Sequence, residues 1–171
     1  MRTVTFIANR IYQHKVLHVN YTTYDVRRAQ DSLNPRTHSD FMVLAHEDDD
    51  ENTAHPYWYG RIIGIFHAYV RHTGPASKTS DAQQIDFLWV RWHGRDPTYR
   101  SGFKVKRLHR VGFIDSTDEG AFGFLDPNEI IRAVHLIPAF RHGKTFELLG
   151  PSIARQPKEE DEDWRLFYVN M

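Results

Sequence analysis

The chain has 171 residues, no cysteine, and 22 basic against 22 acidic side chains. That length suffices for one domain that folds without a metal or disulfide staple, and the lack of cysteine excludes a disulfide scaffold, thiol catalysis and any Cys-based zinc site. With a formal charge of zero, no whole-molecule field draws the protein to nucleic acid or membrane, so any electrostatic binding has to be local. Aromatic and β-branched residues carry much of the apolar content, which tilts the composition towards strands. No run approaches the roughly 18 apolar residues of a membrane span, and the opening MRTVTFIANR lacks the core and cleavage site of a secretory signal. An intracellular chain without a membrane partner is expected.

In chain order, Val4–Ile7 and Lys15–Val19 read as short strands with NRIYQH as a turn between them. Asp25 to Gln30 reads as a short helical turn ended by NPRT, because the residue before Pro35 is pushed out of helical space. Phe41–Ala45 is a strand, and EDDDENTAHP a solvated acidic loop. Tyr57–Val70 is the longest strand. Its row Trp58, Gly60, Ile62, Gly64, Phe66, Ala68 alternates large with small, which suits a curved sheet with rings lying over the glycines. HTGPASKTSDAQQ connects to FLWVRWHGRD, a strand with Leu88, Val90 and Trp92 on one face and Phe87, Trp89, Arg91 and His93 on the other. Two apolar faces imply cover on both sides, and hence burial of both tryptophans.

Arg107–Ile114 and HLIPAF follow as strands, separated by the loop DSTDEG and a short helix at FLDPNEII, where Asp126 caps and Pro127 takes the first position. PSIARQPKEEDED reads as an acidic, Pro-containing linker, and WRLFYVNM as a last strand whose apolar end implies that the chain continues. The division expected is therefore an arm at 1–19, a core at 20–150, a linker at 151–163 and a terminal strand at 164–171. The fold class expected is mainly β: a twisted, barrel-like antiparallel sheet with long loops and one short helix.

Several runs, among them HPYWYGRIIGIFHA, FLWVRWHGRD, RLHRVGFI and FGFLDPNEIIRAVHLIPAF, resemble a domain near the C-terminal end of proteins encoded by fungal CACTA-like, Plavaka-type DNA transposons. That resemblance covers nearly the whole chain and implies a nuclear accessory domain, with the remainder of a transposase-like protein as partner and the nuclease carboxylates elsewhere. A shorter stretch, YGRIIGIF followed by WVRWHGRDP, is similar to the core of bromo-adjacent homology domains, which implies a chromatin setting.

Among residues that carry chemistry, His38-Ser39-Asp40 has the HxD spacing of a two-histidine, one-carboxylate iron site, with His135 or His142 as distal ligand. Eleven histidines make one such spacing expected by chance, so an iron oxygenase stands as the lesser alternative. No HExxH, GxSxG, Walker or GxGxxG motif is present, and the acidic runs Glu47–Glu51 and Glu159–Asp163 read as solvated. No catalytic residue, cofactor or metal is expected.

The basic stretch says more. Pro97 to Ile114 contains no acidic residue, and Arg100, Lys104, Lys106, Arg107 and Arg110 alternate with rings, as phosphate contact and base stacking require. Tyr57, Tyr59 and Trp89 are candidates for an aromatic groove. The function expected is a non-catalytic module that contacts DNA or chromatin weakly and salt-sensitively, the alternative being a protein-interaction or structural domain.

Overall fold

A computed structural model describes residues 4–23, 25–45, 56–157 and 159–171. The fold is mainly β and every ladder is antiparallel. Its backbone is the hairpin of β6 (Tyr57–His72) and β7 (Gln83–Arg95), which pair along most of their length. On one side of β6 lie β1 (Val4–Phe6), β2 (Tyr12–His14) and β5 (Asp40–Leu44). On the far side of β7 lie β8 (Arg110–Phe113) and β9 (Phe122–Leu125). β10 (Ile130–Ala133) adds to β5, while β14 (Phe167–Asn170) adds to β8 and carries β11 (His135–Pro138). Two small ribbons complete it: β3 (Leu17–Thr22) with β4 (Arg28–Leu33), and β12 (Lys144–Thr145) with β13 (Asp163–Trp164).

The main path runs β10-β5-β6-β7-β8-β14-β11. Its two ends are separated in sequence only by Val134, whose N–H donates to Asp40 O at 3.0 Å. The sheet thus returns on itself through the chain rather than through a ladder, which makes it barrel-like without a hydrogen-bonded closure between β10 and β11.

Long β6 contributes to three clusters, and a register shift between Ile62 and Gly64 divides its middle between two of them. Strict alternation would separate Ile62 from Ile65, but the shift sends both into one cluster with Leu33, Phe41, Leu88 and Val90, and turns Ile63 towards Leu149 and Ala154. The row expected from Trp58 to Ala68 is therefore broken at its middle. Gly60 does what its neighbours require: a Cβ there would stand 2.6 Å from Phe41 Cζ and 3.1 Å from Trp92 Cε3. A second cluster joins Met42, Tyr59, Val111, Phe113, Phe167 and Val169. Each fully buried aliphatic or aromatic side chain of these clusters stabilises by roughly 1.5–3 kcal/mol.

Several local expectations are corrected. Asp25–Gln30 holds no helical turn; Thr23 and Arg27 close a hairpin (Thr23 N to Arg27 O, 2.8 Å), and Arg28–Leu33 is a strand in register with Leu17–Thr22. NRIYQH is more than a turn, since Tyr12–His14 pairs with β6. The strand expected at Arg107–Ile114 is confined to Arg110–Phe113. The helix at Pro127–Glu129 is a single 3-10 turn, capped as expected by Asp126, which accepts from Asn128 N. The acidic loop at 47–55 lies outside the described residues.

The largest correction concerns the linker expected at 151–163: its described residues are mostly exposed, Glu159, Glu160 and Asp161 among them, but Arg155 and Asp163 tie it down as a strap. Asp163 is only 6% exposed and receives both terminal nitrogens of Arg91, at 3.1 and 3.0 Å. Arg155, equally buried, reaches the same carboxylate at 3.2 Å and the carbonyls of Leu149, Gly150, Glu160 and Asp161. A buried carboxylate between two guanidiniums is compensated; either partner alone is not.

Candidate functional site

The basic stretch forms the excursion between β7 and β8. Its root is built locally: Asp96 N donates to Arg110 O at 3.0 Å, and Asp96 Oδ1 accepts from Thr98 N and Thr98 Oγ1 at 2.9 and 2.7 Å, an Asx turn that sends the chain outward. Asp96 Oδ2 takes the Arg110 guanidinium at 2.6 and 2.8 Å. Burial pushes the Asp96 carboxyl up, but the Thr98 and Arg110 hydrogen bonds outweigh it and hold it below the usual carboxylate range. At the tip, Gly102 and Arg107 form an isolated bridge, and Lys106 sits in the left-handed region at φ 51°.

The five expected basic residues divide. Arg100, Lys104, Lys106 and Arg107 are exposed, and among the described residues none of them forms an ion pair. Arg110 is different: its side chain is 12% exposed, fixed to Asp96 and to His142 Nε2 at 3.1 Å, and its guanidinium lies 4.0 Å from the centre of the Tyr99 ring. It anchors the loop and is not a free phosphate contact. Tyr99 also faces Arg107 at 5.8 Å and packs edge-on against Tyr168, so the loop is rigid at its base and open at its tip.

The aromatic groove does not assemble. Tyr59 is buried in the second cluster with Tyr57 against it, whereas Trp89 packs with Phe122 on the third. Burial, reinforced by Tyr57, pushes the Tyr59 hydroxyl up to about 12. Trp89 and Trp92 are each half-buried; Trp92 joins the core beside Leu88 and Val90 as expected, with Phe41 and Trp58 edge-on to it. Nor are the HxD residues brought together. His38 Nδ1 lies 3.1 Å from Ser32 O, and Asp40 is held by Arg61 at 2.8 and 3.1 Å; among the described residues no three metal-ligating side chains converge.

Among the described residues, clefts flank the sheet, and two of them are lined in part by the chain after residue 143. One, of about 440 Å³, is lined by Arg61, Lys144, Trp164 and the strap carboxylates, and its cations already have partners: Arg61 pairs with Asp40, and Lys144 with Glu160 at 3.2 Å and Glu162 at 3.4 Å. The other, of about 350 Å³, opens at the root of the basic loop between Gly94, Gly112 and the 145–148 and 165–166 segments. Sequence reading missed it, since only the fold sets Arg165 against the β7–β8 turn.

Beneath the sheet, His93 is 7% exposed, stacked on Phe113 at 4.3 Å. Burial, then the nearby Arg61 and Arg91 charges, hold its imidazole well below the usual range, hence neutral. Comparison of the chain with protein-family models, with curated proteins and with solved structures finds no match in any of the three.

Proposed function

We propose that the chain is a non-catalytic module that contacts nucleic acid through the 97–109 loop, consistent with the transposon-protein and chromatin-domain resemblances and with a nuclear setting. One observation carries it: Arg100, Lys104, Lys106 and Arg107 stand exposed, and among the described residues without carboxylate partners, on a loop whose base is fixed by Asp96 and Arg110. Cations held on a firm base lose little entropy on meeting phosphates, and each contact releases counterions. Base-edge readout is not expected, for the loop offers no recognition helix.

The test is charge reversal. Lys104→Glu, Lys106→Glu and Arg107→Glu together abolish binding to DNA or RNA while the melting temperature stays within about 5 °C, because each exposed substitution changes stability by about 0.5 kcal/mol or less. Retained binding in that variant contradicts the reading. A second reading, a protein-interaction surface, draws on the ladder Phe66–Phe87–Phe124, with centroids 5.6 and 5.8 Å apart and Phe124 74% exposed. It takes first place if the wild-type chain binds no nucleic acid at low salt.

A further inference from the structure

The cleft at the root of the basic loop has an unusual floor. Gly94 and Gly112 face each other across the β7–β8 ladder, in a stretch whose hydrogen bonds run on either side, from Ile114 N to Trp92 O and from Asp96 N to Arg110 O. Of this floor, the Gly94 part carries no side chain and lies between those two hydrogen bonds, while the Gly112 part is covered by the chain at Arg165. The two glycines serve different ends. A Cβ on Gly112 would stand 2.6 Å from Arg165 O, so that glycine admits the crossing chain. A Cβ on Gly94 would meet nothing closer than Ile114 Cγ1 at 3.5 Å, an ordinary contact. No packing demand explains glycine there, and in a strand interior glycine is unfavourable. What it leaves is open space of about 350 Å³, walled by Leu148, Leu166 and Arg165, with Arg95 and Pro97 at its mouth.

We infer that this slot receives an unstacked base of a single-stranded nucleic acid whose phosphates run along the 97–109 loop. The inference rests on the proposed function and names its substrate class. Cβ-free backbone at Gly94, in a cleft that Arg165 also lines, is a stacking surface for a planar heteroaromatic ring, and a strand whose bases are not paired can present one. Arg165 is half-exposed, and its one ion pair among the described residues, to Glu147 at 3.6 Å, is between exposed groups and weak enough to yield to a phosphate. Proximity does the rest: Asp96 and Pro97 both line the slot and begin the loop, so a strand with one base in the slot has its neighbouring phosphates beside the loop cations.

Gly94→Val tests it, because valine intrudes on the slot, suits a strand and has a Cβ that meets nothing closer than Ile114 Cγ1 at 3.5 Å. Binding is followed by fluorescence anisotropy with a labelled oligothymidylate of about 12 nucleotides and with a duplex of the same length, both at about 50 mM salt. The wild-type chain is expected to prefer the single strand. Gly94→Val is expected to weaken single-strand binding about tenfold, the worth of one stacked base, and to leave duplex binding within about twofold. Arg165→Ala, which touches no core cluster, is expected to weaken the single strand alone by about threefold and guards against a folding defect in the first variant. If both variants bind the single strand as the wild type does while the Lys104, Lys106 and Arg107 reversal does not, the slot is empty of function and the loop reading survives. If the wild-type chain binds neither probe, both fall.

Discussion

The arginines in and beneath the strap and the cations on the 97–109 loop carry the same charge in opposite settings. Arg61, Arg91 and Arg155 are matched to Asp40 and Asp163, and two of them lie against the Phe113 ring, at 4.9 Å for Arg61 and 3.8 Å for Arg91. The loop cations have no such partners among the described residues. Burial makes an unpaired charge costly, so the buried set is fixed by folding and is spent there. Exposure removes that demand. Charges that folding does not need, gathered where no acid falls between Pro97 and Ile114, are the ones free to meet a partner.

The sharpest way to break this contrast is at Asp163. Asp163→Ala leaves Arg91 and Arg155 buried without their shared carboxylate, and the loss expected by urea unfolding is about 3–5 kcal/mol. A variant that unfolds at the wild-type midpoint would show the strap to be as loose as its acidic sequence suggests. Arg110 sharpens the comparison from within the basic stretch. Grouped with the paired arginines by its Asp96 bond, it should cost about 1.5–3 kcal/mol as Arg110→Ala, the worth of a charge-assisted hydrogen bond. An equal loss from Arg107→Ala would erase the division between anchor and contact.

Acid probes the same buried region. The His93 imidazole is held neutral, so below its ordinary value of 6.5 the unfolded chain binds a proton that the folded chain refuses. Stability is then intact above that pH, and falls by about 1.4 kcal/mol per pH unit as pH drops from there towards the folded value. His93→Phe, which keeps the stack on Phe113, should flatten that part of the profile when unfolding is followed from pH 7 to about 5.

Much of this was legible where one residue type carries one demand. Residues 57–70 and 87–95 announce themselves by aromatic and β-branched content, Gly60 by the ring it must admit, and Asp126-Pro127 by capping chemistry. The polar start of the second strand, 83–86, did not: it begins inside the connector HTGPASKTSDAQQ and is held by its pairing with residues 67–70. Arg28–Leu33 did not, because RAQDSL has no apolar alternation; its pairing with Leu17–Thr22 and a bond from Ala133 N to Asp31 hold it instead. Asp163 was hidden among five consecutive acids, four of which keep more solvent, and its partner Arg91 lies 72 residues away. A signal did exist on the other side of the pair. Arg91 sits in an apolar stretch, between Val90 and Trp92, and a guanidinium buried there requires a carboxylate from somewhere. The basic loop was legible as charge, but its division into one anchor and four free cations needed Asp96 and Arg110 seen together.

The central claim is that the exposed set, and not the buried one, meets a phosphate backbone. Its most direct measurement is the affinity of the wild-type chain for a short single strand across a salt series starting near 20 mM, where contacts of this kind are least screened. Four loop cations predict weak binding at low salt and a slope of log affinity on log salt near −3, about −0.7 for each phosphate contacted. A slope near zero, or no binding at the lowest salt, would contradict it.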